Sequence, residues 1–206
     1  MEITIYTTRQ EVEKDMVDKL VNKIVDLLIS EQFITTDSQD EYVYSLTCVL
    51  ESIITNGTIF LISLITSNTI QTACFLLFFY TLRKRTGGYH AKTFYGCYFT
   101  TIGIWLAVTG ICKSITQFSL LQWILLAVFG SIILVIGTVN HPNMNMSPEE
   151  VSAAKLSARM VLTLELCIIC FLKWLKADAI LLSYLSVAII LCGILQGIAK
   201  LLGQEV

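Results

Sequence analysis

Charge is what this chain most lacks. Only 15% of its 206 residues are charged, against about 25% in a soluble domain. Histidine is scarce too, with His90 and His141 alone, and both prolines, Pro142 and Pro148, fall in one segment. The opening MEITIYTTRQEVEKD has no basic stretch followed by an apolar core. It predicts no cleaved signal peptide, so the chain is expected to insert through its own spans. A broad basic surface is also missing, which argues against nucleic acid as a partner. Residues 1–41 hold ten acidic and four basic side chains, whereas 83–92 hold four basic and no acidic ones.

Apolar sequence is abundant. Hydrophobic residues make up 55% of the chain, and the mean hydropathy is +0.71. Together with three long apolar runs, this places the chain in a bilayer. The expected fold is all-α: a polytopic integral membrane protein forming one domain over 1–206. It has about six hydrophobic helices, or four full spans and two partial ones, behind an N-terminal amphipathic helix. A span needs about 20 apolar residues. Residues 42–82 give a first hairpin, with a turn near Thr66-Ser67-Asn68 and a short second span. Residues 97–139 give a second hairpin, turning near 112–118, and 160–206 give a third. The cytoplasmic segments are then 1–41, 83–96 and 140–159.

Within 1–41, apolar residues recur at 12, 16, 17, 20, 21, 24, 25 and 28. That is helical period with a polar opposite face. This helix should lie in the membrane interface or pack on the cytoplasmic side of the protein. Orientation follows from Lys and Arg in the short loops. Eleven of the fourteen basic residues fall on the side of both termini and of 83–96. That side is expected to be cytoplasmic, in a multi-pass cell-membrane protein. Lys113, Lys173 and Lys176 fall on the other side.

Six of the seven cysteines, Cys48, Cys74, Cys112, Cys167, Cys170 and Cys192, lie in or at the ends of apolar runs. Cysteine is a small hydrophobe there. Cys167 and Cys170 form a CxxC inside LELCIICFL, with no second pair beside it. Cys97 differs, because it closes the stretch RKRTGGYHAKTFYGC, 83–97.

Three readings of that stretch compete. It is an ordinary basic loop that fixes topology, a metal site using His90, Cys97 and His141, or a Cys–His nucleophile pair. Zinc sites offer denser ligand clusters than this. For the pair, seven residues of straight helix would separate the groups by about 10.5 Å. A hydrogen bond needs about 3 Å, so the chain between them must bend. Gly87, Gly88 and Gly96 permit bends. A helix opening at Cys97 would favour its thiolate, and Arg83, Lys84, Arg85 and Lys92 add positive potential.

Arg83, then Gly87-Gly88-Tyr89-His90-Ala91-Lys92, then Cys97 resemble the signature of the accessory gene regulator B (AgrB) family, membrane endopeptidases of quorum sensing. NHPNMNMSPEE, 140–150, resembles that family's loop before its last hydrophobic pair, with Met144 where the family often has lysine. The resemblance covers nearly the whole chain. It implies cleavage of an AgrD-like precursor peptide on its C-terminal side and closure of a thiolactone or lactone ring. By position it makes Cys97 the nucleophile and His90 the general base. Arg83 and Gly88 fall on motif positions needed for activity or site geometry. It implies no cofactor and no metal; the expected partners are the precursor, membrane lipid and a second copy in a homodimer.

A third group often orients the histidine. Glu51, Asn143, Ser147 and Glu149 are candidates. Glu51 and Glu165 are the acids inside the runs, and an intramembrane carboxylate is a functional candidate by default. Glu51 could equally reach the headgroups or pair with Arg83 or Arg85. The basic residues 83–85 could hold an acidic leaving tail or simply set topology. Two other functions remain open: a non-enzymatic polytopic scaffold or transporter, and a thiol-dependent membrane acyltransferase.

Overall fold

The computed structural model describes residues 19–87, 94–115, 119–139 and 147–202. Among these, every regular element is helical. Helix α1 covers 19–30 and precedes a 3-10 turn, Thr36–Ser38. Then follow α2 (Gln39–Ile65), α3 (Thr69–Thr86), α4 (Phe94–Ile115), α5 (Ser119–Ile136), α6 (Pro148–Trp174) and α7 (Ala179–Leu201). The break between α2 and α3 falls at residues 66–68, where the sequence places a turn, with Ser67 at φ 56°.

The chain divides into two compact units. The first comprises Met1–Leu61 and Ala91–Ile102. In it, Val21 and Val25 of α1 are fully buried, while Leu20 is half exposed. Val21 and Val25 lie four residues apart, about one helical turn, and so face the same side of α1. The hydroxyl of Tyr98 in α4 donates to Thr58 Oγ1 of α2 at 3.2 Å.

The second unit comprises Ile62–His90 and Gly103–Val206. Its helix directions follow from side-chain pairs. Phe75 of α3 meets Tyr184 of α7 edge-on, and Cys192 Sγ donates to Phe79 O. Gln122 of α5 donates to Ser186 Oγ, and Gln196 donates to Gly137 O just past α5. Thus α3, α5 and α7 run parallel. Helix α6 runs the other way, since Arg85 bonds Ser157 while Thr81 bonds Glu165. The C-terminal ends of α3, α5 and α7 and the start of α6 therefore share one end of the unit. Arg83, Lys84, Arg85, Lys155, Arg159 and Lys200 all belong to that end. Lys173 and Lys176 lie at the other, Lys173 over the Trp123 ring at 4.0 Å.

The distribution of side chains is inside-out for a soluble protein. Ile65, Ile70, Val135, Trp174 and Leu201 are largely exposed. Thr72, Ser183, Ser186 and Gln196 are fully buried. Apolar exposure on this scale suits lipid contact, and buried polar groups between helices act as glue there. Among the described residues, two segments are long and apolar enough to cross a membrane, Ser45–Ile65 and Ala179–Leu201. Tyr98–Cys112 and Leu120–Ile136 are apolar but shorter.

Glu165 is 3% exposed. Its Oε1 accepts from Thr81 Oγ1 at 2.8 Å, and its Oε2 has no hydrogen-bond partner among the described residues. Thr81→Val keeps the shape and removes the bond. It is expected to destabilise the fold by about 1–2 kcal/mol. Thermal unfolding in nanodiscs checks this, and an unchanged midpoint would refute the bond's contribution.

Candidate functional site

The signature begins in the last turn of α3, TLRKRT. Three cations there, Arg83, Lys84 and Arg85, complement the negative end of the helix macrodipole. The helix stops at Gly87, whose φ of 64° and ψ of −151° lie in a region reserved almost wholly for glycine. Its N–H still donates to Arg83 O at 3.1 Å, and its own carbonyl accepts from Arg83 Nη1. Arg83 thus closes the exit of the helix on which it sits.

A second segment crosses this exit. After α5, Gly137 turns the chain at φ 76°. Val139 N then donates to Thr86 O at 2.9 Å. The contact is close on both sides: a Cβ on Gly87 would come 2.6 Å from Val139 O. Thr138 and Val139 are buried. The chain entering 88–93 and the chain entering 140–146 therefore start from hydrogen-bonded neighbours. The sequence reading paired His90 with His141 or Asn143 as alternatives, and did not find the backbone bond between Thr86 and Val139.

Arg85 is committed to the scaffold. Its Nε donates to Ser157 Oγ at 2.7 Å, and its Nη1 to Thr81 O at 2.8 Å. The first bond ties the end of α3 to α6, and the second holds the guanidinium along α3. Glu51 is half-buried within α2, and its backbone carbonyl accepts from Thr55 Oγ1. Gly88, His90, Lys92, His141 and Asn143 lie outside the described residues. Helix α4 already includes Phe94, three residues before the start read from the sequence. The backbone of Cys97 therefore lies within α4, three residues after Phe94. The Cys97 side chain lies outside what is described.

Two candidates for a third group have structural work at the start of α6. Ser147 is the N-cap: its Oγ accepts from Glu150 N at 3.3 Å, while its N–H donates to Glu150 Oε2 at 2.8 Å. This is a capping box with Pro148 next to the cap. Glu149 is exposed in the same first turn. The Ser147 backbone N–H, then its hydroxyl, hold the Glu150 carboxyl below its usual range. A lowered folded-state pKa means that the bond contributes above the ordinary carboxylate range and is lost as pH falls through the lowered value. Amide protection at Glu150 and Val151 is expected to fall on acidification in wild type. In Glu150→Gln the same hydrogen-exchange measurement should show no such step.

Cys167 and Cys170 are both free and exposed on α6. A shallow groove along α6, lined by Arg159, Met160, Thr163, Leu164 and Cys167, contains none of the signature residues. Sequence reasoning missed Val139, Ser157 and Gln196 as neighbours of the signature. Gln196 left a signal, being a lone amide in the otherwise apolar stretch ILCGILQGIA, 190–199.

These features define a helical protein with lipid-suited faces and a basic helix end, Arg83 to Arg85, closed by an obligatory glycine. The sequence profile of the accessory gene regulator B family, AgrB, matches residues 21–199, and the chain belongs to that family. The family takes part in processing quorum-sensing precursor peptides of the AgrD type and is associated with membranes. Comparison with curated proteins and with solved structures gives no match.

Proposed function

We propose that this protein is a multi-pass cysteine endopeptidase. It cuts the C-terminal part from an AgrD-like precursor and promotes ring closure through an acyl-enzyme on Cys97. The observation that carries the reading is the signature Arg83–Cys97, set within a family match that spans residues 21–199. The exit at Thr86 and Gly87 supports it, because a catalytic loop needs a fixed origin.

His90 takes the proton from Cys97 Sγ. The thiolate attacks the scissile carbonyl, the C–N bond breaks, and His90 returns the proton to the departing amine. The product is a thioester on Cys97. A precursor cysteine thiol or serine hydroxyl then attacks that carbonyl, and Cys97 leaves as its thiol. With a cysteine one thioester replaces another, so this exchange is nearly balanced. Release of the cut tail drives the sequence forward. Water must be kept from the acyl-enzyme, or it gives a linear acid.

The end of the second unit that carries Arg83, Lys84, Arg85, Lys155, Arg159 and Lys200 faces the cytoplasm under the positive-inside rule. The signature loop then opens to the cytoplasm, where the precursor is made. Six hydrophobic helices cross or dip into the bilayer, and two copies form a homodimer. Intact-mass spectrometry of the full chain in nanodiscs with a candidate precursor tests the reading. It predicts a peptide adduct on Cys97 whose mass gives the cut site. An uncut precursor and a bare Cys97 would refute it.

A further inference from the structure

Gln196 is out of place by composition. It lies in α7, in the stretch ILCGILQGIA, 190–199, that is otherwise apolar, and it is fully buried. A buried amide costs free energy unless it is hydrogen-bonded. Here it is only half satisfied. Its Nε2 donates to Gly137 O at 2.9 Å, while its Oε1 has no partner among the described residues. Leucine would fill similar space without the orphan oxygen. What the amide alone supplies is the donor to Gly137.

Gly137 begins the strap 137–139. The strap is held at its start by Gln196 and at its far end by the Val139 N–H, which donates to Thr86 O. Between them the chain has little latitude. Gly137 takes φ 76°, and a Cβ on it would come 2.7 Å from Lys155 Cγ. At Val139 the strap carbonyl presses on Gly87, where the signature leaves α3. A rigid path thus runs from α7 to the exit of the signature loop: Gln196, Gly137, Val139, then Thr86 and Gly87.

We infer that Gln196 is a positioning residue for the signature loop, acting through the strap 137–139 on Thr86 and Gly87. The inference rests on the peptidase reading for its effect on rate, though its structural part does not. Gln196→Leu removes the donor and frees the start of the strap. A displacement near 1 Å in a catalytic group costs about 10²-fold, and a shift transmitted from one anchor is smaller. The expected loss in kcat is about ten-fold, with KM changed by less than about two-fold. Protection of the Val139 amide against hydrogen exchange should fall about ten-fold.

The control is Ile189→Ala, which opens a cavity in the same helix at a fully buried residue. It should lower the unfolding midpoint at least as much as Gln196→Leu and leave kcat and Val139 protection near wild type. If Gln196→Leu does not fold in nanodiscs, Gln196→Met, its unbranched counterpart, takes its place with the same thresholds. A kcat within about two-fold of wild type, or unchanged Val139 protection, would overturn the inference. So would rate losses in both variants that track their stability losses. A wild-type protein that forms no Cys97 adduct would refute the peptidase reading alone, and the exchange measurement would still decide the strap.

Discussion

Cys97→Ala is expected to abolish precursor cleavage, lowering the rate by about 10⁴-fold or more. Alanine has no atom that can carry the acyl group, so only uncatalysed hydrolysis of a bound peptide is left. His90→Ala should cost slightly less, about 10³–10⁴-fold. An unassisted thiol is only a few per cent ionised at pH 7. Loss of the base therefore removes about 30-fold through thiolate supply alone. The rest is lost because the departing amine finds no acid. The two variants separate in the mass spectrum. Neither should accumulate the peptide adduct, but Cys97 in His90→Ala should still react slowly with a neutral alkylating agent. Rates within about ten-fold of wild type in either variant would sink the assignment of that residue. A Cys97 inert to alkylation at neutral pH in wild type would return the stretch to a topology-setting loop.

Gly87→Ala is expected to have the second largest effect, for a reason independent of the chemistry. At φ 64° and ψ −151° an L-residue is strained by about 1–3 kcal/mol. The added Cβ would also come 2.6 Å from Val139 O, a backbone atom in a segment anchored at both ends. The side chain cannot rotate away, because Cβ has no torsion that moves it. The exit must therefore open, breaking the bond between Val139 N and Thr86 O. Cleavage is expected to fall about 10²-fold, with the unfolding midpoint lowered by the equivalent of about 2 kcal/mol or more. Activity and stability both near wild type would show that the exit tolerates a side chain. In that case the strap could not be a constraint on the loop.

Much of the fold was legible because its signal is local. Glu51 alone interrupts 42–82, and a turn at 66–68 follows from the length of that run. Helix α1 was legible from period, and Val21 and Val25 of that apolar set are buried. Boundaries were less so. Of the turn read near 112–118, residues 112–115 continue α4, and 116–118 lie outside the described residues. Helix α4 already includes Phe94, ahead of the start at Cys97 read from the sequence, because aromatic residues continue a helix as readily as they begin a span. Arg85 reads in sequence as a cation that holds an acidic tail or sets topology, whereas the fold commits its guanidinium to Ser157 and Thr81.

The sequence by itself determined the helical class, the lipid-suited composition and the family. Each rests on residues close in the chain: apolar runs of span length, the clustering of Lys and Arg, and the run from Arg83 to Cys97. Only the tertiary structure decided what holds the origin of that run. Thr86 meets Val139 across more than fifty residues, and Gln196 meets Gly137 across nearly sixty. Such bonds leave no period in the sequence, because each joins one donor to one acceptor where helices converge. The glycine at 87 is visible in the sequence as a possible bend. That it must be glycine follows from a carbonyl oxygen supplied by another part of the chain.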